Sequence, residues 1–151
     1  MQQFERDPML LLHDVARLMR TRFDQKARMQ GMTRAQWIIL AWLNRQPGLS
    51  QNEMASILEV EPISVGRLID RLEARGLVER RPDPTDRRVR RLHLLPAAKP
   101  MIDEIARHRE ALAAEILEGV DSDGRSRLVD LLIHIKSNLT AERSIQVAVG
   151  E

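Results

Sequence analysis

The chain has 151 residues and no cysteine. That excludes disulfides, thiolate metal ligands and thiol-based redox sensing together. Tyrosine is also absent, and the aromatics amount to two Trp and two Phe, so Trp37 and Trp42 read first as core residues. No apolar run is long: Trp37 to Leu43 is the longest, far below the roughly 20 residues that span a bilayer. The opening residues Met1 to Glu5 lack the basic-then-apolar order of a secretory signal. The expectation is a soluble, cytoplasmic protein with no membrane partner. Missing too are a Gly-rich phosphate loop, H-E-x-x-H, G-x-S-x-G and a Cys nucleophile, so no enzyme and no cofactor are expected.

Hydrophobic residues at 43% and charged residues at 30% describe an ordinary globular domain. The length favours a single domain with its own core. Net charge is only +2, yet it is unevenly placed. The window 67–91 holds nine Arg against five acids, a surplus of four that leaves the rest of the chain with a deficit of two. Every cation in that window is Arg, whose planar fork suits phosphates and guanine edges.

Periodicity gives mostly helices. Leu11, Val15 and Leu18, with Leu12, Met19 and Phe23, recur at helical spacing over residues 8–29, and Gly31 ends the run. Thr33 is placed to cap a buried helix to about Gln46, stopped by Pro47 and Gly48. Ser50 and Glu53 form a capping-box pattern opening a short helix over 51–58. Pro62 suits the first turn of another, over 62–75, with Gly76 as its left-handed C-terminal cap. Two short helices joined by a tight turn are the skeleton of a helix-turn-helix.

The period then changes. Residues 77–80 and 89–94 predict two strands separated by Pro82, Asp83, Pro84, Thr85 and Asp86, a hairpin with a basic tip that serves as a wing. Helical period returns after Pro96 with Met101, Ile102, Ile105, Leu112 and Ile116. A last helix, capped by Asp121, carries Leu128, Leu131, Leu132, Ile135 and Leu139. These helices and the first one lie outside the winged core, and a second copy of the chain is the expected cover for their apolar stripes. The predicted fold class is mainly α with a small β-hairpin wing: a winged helix-turn-helix core at about 33–95, flanked by dimerisation helices at about 1–32 and 96–146.

On the helix over 62–75, Val65, Ile69 and Leu72 form a core face, whereas Ser64, Arg67 and Arg71 fall on another. The second face is free to enter a major groove ~12 Å wide, where Arg pairs bidentately with guanine. Pro62, Ile63 and Ser64 at its N-terminus are placed for base methyls and phosphates. In the hairpin, Arg87 and Arg88 sit at the turn, suited to a narrow minor groove. Asp86 is spaced to orient the Arg88 guanidinium. Arg80, Arg81, Arg90 and Arg91 are expected to reach phosphates.

The run from Leu49 to Arg80, with Glu61-Pro62-Ile63-Ser64-Val65-Gly66-Arg67 at its centre, followed by Asp83-Pro84-Thr85-Asp86-Arg87-Arg88-Val89-Arg90-Arg91-Leu92-His93-Leu94, resembles the MarR family of bacterial regulators. The second segment is similar to that family's wing signature, D-x-R-x-x-x-(V/L)-x-L-T, with Asp86, Arg88, Leu92 and Leu94 in its fixed places. It departs from it in Leu95, where the signature has Thr, and in Ala98, where Gly is frequent. The resemblance implies a homodimeric, ligand-responsive transcription regulator, a repressor, binding a pseudo-palindromic duplex DNA operator. It also implies a small effector, aromatic or phenolic, a carboxylate or thioester, held between the dimerisation helices and the winged core. Under that reading His13, Arg17, Arg20 and Trp37 are the candidate pocket, an aromatic wall with cations for an organic acid. Two alternatives stand beside it. Glu104 and His108, four apart on one helical face, offer a weak pair of metal ligands for a metal-responsive regulator. A winged helix without DNA contact would serve as a protein-interaction or dimerisation module, and apolar residues in place of Arg67 and the wing arginines would mark it.

Overall fold

In the computed structural model, residues 5–149 are described, with side chains through Ala141. The elements run α1 (Pro8–Met29), α2 (Arg34–Arg45), α3 (Gln51–Leu58), α4 (Pro62–Ala74), β1 (Val78–Pro82), β2 (Arg90–Leu94), a 3-10 turn (Pro96–Ala98), α5 (Lys99–Ile116) and α6 (Ser122–Val149). The chain divides into two compact units, Met1–His108 and Arg109–Glu151, the boundary falling within α5. Among the described residues no helix is long and apolar enough to cross a membrane.

Local chemistry fixes the helix starts in the first unit. The Asp7 carboxylate accepts from the N–H groups of Met9 (2.8 Å) and Leu10 (3.2 Å), and Pro8 stands at the first position. Thr33 makes a reciprocal capping box with Gln36, and Ser50 with Glu53. Helix α4 opens on Pro62 and closes in a Schellman motif: the Leu77 N–H donates to Leu72 O (3.0 Å) and the Gly76 N–H to Glu73 O (2.8 Å), with Gly76 at φ +69°. That turn hands the chain to β1.

The sheet is one antiparallel ribbon, with Val78 opposite Leu94, Arg80 opposite Leu92 and Pro82 opposite Arg90. Expected in the turn, Pro82 instead ends β1. A ribbon edge tolerates proline because the missing N–H would otherwise point to solvent. Ser50 adds a single bridge to Arg91, and the Leu92 N–H donates to Leu49 O (2.9 Å), so the loop before α3 lies along β2.

The core gathers Trp37, Ile39, Leu40 and Leu43 of α2, Met54 and Ala55 of α3, Val65, Ile69 and Leu72 of α4, Val78 and Leu92 of the hairpin, and Ala27 of α1. Nine of the large side chains are less than 2% exposed, so deleting one, Ile69 or Leu92 for instance, costs about 2–5 kcal/mol. In α1, by contrast, Leu10, Leu11, Leu12, Val15 and Leu18 are exposed.

The second unit contains the end of α5 and all of α6. Asp121 accepts from the Gly124 N–H (2.7 Å) at the start of α6, and Arg125 donates back to Val120 O (2.9 Å) and Leu117 O (3.1 Å). The predicted stripe Leu128, Leu131, Leu132, Ile135 and Leu139 is exposed.

Candidate nucleic-acid interface

Helix α4 divides as its periodicity predicts: Val65, Ile69 and Leu72 are fully buried, while Ser64, Arg67 and Arg71 are exposed. Ile63 at its N-terminus is 68% exposed, an apolar tip beside exposed Pro62 and Val60. No hydrogen bond or ion pair engages the side chains of Arg67 or Arg71 among the described residues. The turn preceding α4 places Glu59 at φ +55°, the one non-glycine residue with positive φ among those described. The Gln51 amide donates to Pro62 O (3.2 Å), tying α3 to the first turn of α4.

The hairpin arginines fall into two sets. Arg88 is 90% exposed and its guanidinium lies against Asp86, Nε to Oδ1 at 3.2 Å and Nη2 to Oδ2 at 3.3 Å, while its own backbone N–H donates to Oδ1 at 3.0 Å. Those donors hold the Asp86 carboxyl below its usual range, the Arg88 side chain contributing most. One acid thus fixes both the backbone and the guanidinium of the same residue. Arg87 and Arg90 are exposed and unpaired among the described residues. Arg81 pairs at 2.5 Å with Glu79, its own second neighbour.

Arg80 and Arg91 are turned inward instead. The Arg91 guanidinium donates to Asp83 (2.8 Å), Glu53 (3.2 Å) and Gly48 O (3.3 Å). Asp83 is only 9% exposed and also accepts from the N–H and hydroxyl of Thr85 and from the Asp86 N–H. Arg91 first, then the Thr85 groups, keep its carboxyl far below the ordinary carboxylate range. Glu53 is the same residue that caps α3, so one arginine joins the wing loop to the start of the helix-turn-helix. Arg80 reaches α4, donating hydrogen bonds to Glu73 and to Gly66 O (3.0 Å) and forming an ion pair with Asp70 (2.8 Å). Its guanidinium is engaged within the protein.

The residues expected to line an effector pocket are not brought together by any described contact. His13 and Arg20 are exposed on α1, and Arg17 pairs with Asp14 at 2.5 Å in the open. Trp37, 2% exposed, lies instead in the core beside His108. The sequence reading missed this cluster. Phe23 meets His108 edge-to-face at 5.1 Å, and Trp37 is tilted against the same ring at 5.7 Å. Two buried nitrogens, Trp37 Nε1 and His108 Nε2, have no hydrogen-bond partner among the described residues, where most such groups are paired. Burial, then the Lys26 charge, lowers the His108 pKa against the opposing pull of Glu104. Glu104 itself is taken by Lys26 (3.3 Å) and Arg107 (2.7 Å). Among the described residues no three His, Asp or Glu gather as a metal site.

A family model described as MarR family matches residues 30–89, a span from the end of α1 to the wing tip. The solved structure of transcriptional regulator PA3341 is 30% identical, with 87% of this chain and 96% of that one covered and a TM-score of 0.77. Two further structures share the fold. A MarR-family transcriptional regulator from Silicibacter pomeroyi is 24% identical, with 89% of this chain and 91% of that one covered and a TM-score of 0.79. A protein titled MarR is 24% identical, with 91% and 94% covered and a TM-score of 0.81.

Proposed function

The chain belongs to the MarR family of transcription regulators, and on that premise we propose that it binds a pseudo-palindromic DNA operator as a homodimeric, ligand-released repressor. The observation that carries the reading is the sorting of the arginines. Arg67 and Arg71 on α4, and Arg87, Arg88 and Arg90 in the hairpin, face solvent, while the acids near them are bound to other arginines or, as Asp86 does, aim an exposed one. Arg67 and Arg71 read base edges in the major groove, each good bidentate contact contributing about 1–3 kcal/mol of discrimination. Pro62, Ile63 and Ser64 meet methyls and phosphates at the helix tip. Arg88, held by Asp86, enters the minor groove, and Arg87, Arg90 and Arg81 add phosphate contacts.

Exposed leucines on α1 and on α6 support self-association, since apolar stripes of that extent seldom stay in water. An effector with an aromatic ring and an acceptor group suits the surroundings of Trp37 Nε1 and His108 Nε2, two buried polar atoms with unused hydrogen-bonding capacity.

The test begins with selection from random duplex, followed by affinity for the selected sequence and for a scrambled one over a range of salt. Expected is a preference of about 10³ or more over scrambled duplex, falling steeply with salt. Arg67→Ala relaxes the preference, and Arg88→Ala abolishes most specific binding while light scattering still shows a dimer. Equal affinity for both duplexes at moderate salt refutes the reading. A thermal-shift screen of aromatic acids and their thioesters tests the effector class.

A further inference from the structure

We infer that Arg80 is a positioning residue that braces the wing against the recognition helix and fixes the rotation at which α4 presents Arg67 and Arg71, making no DNA contact of its own. The inference rests on the DNA-reading proposal above for its purpose, and on geometry for its substance. Arg80 is directly opposite Leu92 in the ribbon. Directly paired residues share a face of the sheet, and Leu92 is fully buried. Arg80 therefore leaves β1 on the side of the core, toward α4, and its side chain is only 22% exposed.

Its three partners are Gly66 O and Glu73, which accept hydrogen bonds, and Asp70 between them, which pairs with it by charge at 2.8 Å; they are spaced by four and three residues and so aligned along one stripe of the helix. Gly66 and Asp70 are each the immediate neighbour of a reading arginine, Arg67 or Arg71. A guanidinium bonded at two levels of that stripe resists rotation of α4 about its own axis as well as tilting of the hairpin. Charge points the same way. Asp70 is 67% exposed, beside the face that would meet phosphates, and Arg80 offsets its charge and that of Glu73. The contacts leave from two nitrogens of the fork, Nη1 to Glu73 and Asp70 and Nη2 to Gly66 O, two positions that the single nitrogen of a lysine does not occupy together.

The discriminating quantity is the ratio of affinities for the selected and scrambled duplexes, measured over a salt series. A brace predicts that Arg80→Ala, Arg80→Lys, and Asp70→Asn with Glu73→Gln each lower that ratio tenfold or more. The double variant does so although it adds net positive charge. Amide exchange should quicken in β1 and the second half of α4 in Arg80→Ala and in the double variant, with far-UV dichroism unchanged. A phosphate anchor predicts otherwise. Arg80→Ala would weaken both duplexes alike and flatten the salt slope by about 0.9, Arg80→Lys would restore binding, and the acid replacements would leave binding unchanged or tighter. That pattern overturns the inference. Should wild-type protein show no preference between duplexes, the DNA-reading proposal falls, and exchange alone decides the brace: quickened in both variants upholds it, unchanged rejects it.

Discussion

Trp37→Phe removes one buried N–H and part of a ring, and the structure sets those two effects against each other. The lost pyrrole portion leaves roughly 40 Å³, which at ~24 cal/mol per Å³ costs about 1 kcal/mol before relaxation. Against this, Trp37 Nε1 has no partner among the described residues, and releasing a buried donor from that state recovers about 1–3 kcal/mol. The ring contact with His108 at 5.7 Å is open to phenylalanine as well, so its share is largely kept. The expected net change on these opposing estimates runs from about zero to a gain of about 2 kcal/mol, whereas Trp37→Ala, which empties the site, should cost about 3–5 kcal/mol. Urea unfolding followed by far-UV dichroism, at one fixed protomer concentration because self-association contributes, gives both values. A loss beyond about 3 kcal/mol for Trp37→Phe would show that the indole N–H is satisfied, and would remove the argument for an acceptor-bearing effector. A neutral or stabilising Trp37→Phe that no longer gains thermal stability from an aromatic acid would strengthen it.

Three other outcomes follow from particular residues. His108 has a pKa lowered from 6.5 chiefly by burial, so the unfolded chain binds the proton more tightly. Its contribution to stability is complete above about pH 6.5 and is lost as pH falls toward the folded pKa, a slope in chemical denaturation that His108→Gln should flatten. Glu59 holds φ +55°, a conformation costing an L residue about 1–2 kcal/mol, so Glu59→Gly should leave stability unchanged or raise it by up to about 1 kcal/mol after the entropy of glycine is counted. Unfolding midpoints check this, and a clear loss would mean that the Glu59 side chain matters. Ser50→Ala breaks a reciprocal cap and should cost about 1 kcal/mol, read as a lower midpoint at unchanged m-value.

What the sequence disclosed and what it hid differ in range. The Ser50 to Glu53 box, Pro62 at a first turn, Gly76 as a left-handed cap and the Asp86 to Arg88 pair are encoded within four residues, and all are found as predicted. The split of α4 into Val65, Ile69 and Leu72 against Ser64, Arg67 and Arg71 needs only the helical period. Contacts between elements carry no such local mark. Phe23, Trp37 and His108 lie on three helices, and nothing in their spacing announces that they meet. Glu59 is a poor choice for a left-handed position on propensity alone, so the turn before α4 could not be read from it.

The arginine-rich window shows most clearly where composition stops being informative. A surplus of four positive charges over residues 67–91 reads as one basic patch, and every arginine in it as a candidate for the phosphate backbone. Position in the ribbon and the acids on neighbouring elements divide that patch. Arg80 and Arg91 are spent on Asp70, Glu73, Asp83 and Glu53, whereas Arg67, Arg71, Arg87 and Arg90 keep their donors free among the described residues. Inward arginines tie the hairpin to α4 and to the start of α3, and outward ones leave positive charge exposed on α4 and the hairpin. Charge reversal therefore has opposite consequences within a few residues: Arg90→Glu should weaken all duplexes alike by phosphate repulsion, and Arg91→Glu, facing Asp83 and Glu53, should loosen the wing itself. Proteolysis at the hairpin separates the two, with cleavage unchanged in the first variant and accelerated in the second; equal cleavage in both would dissolve the division.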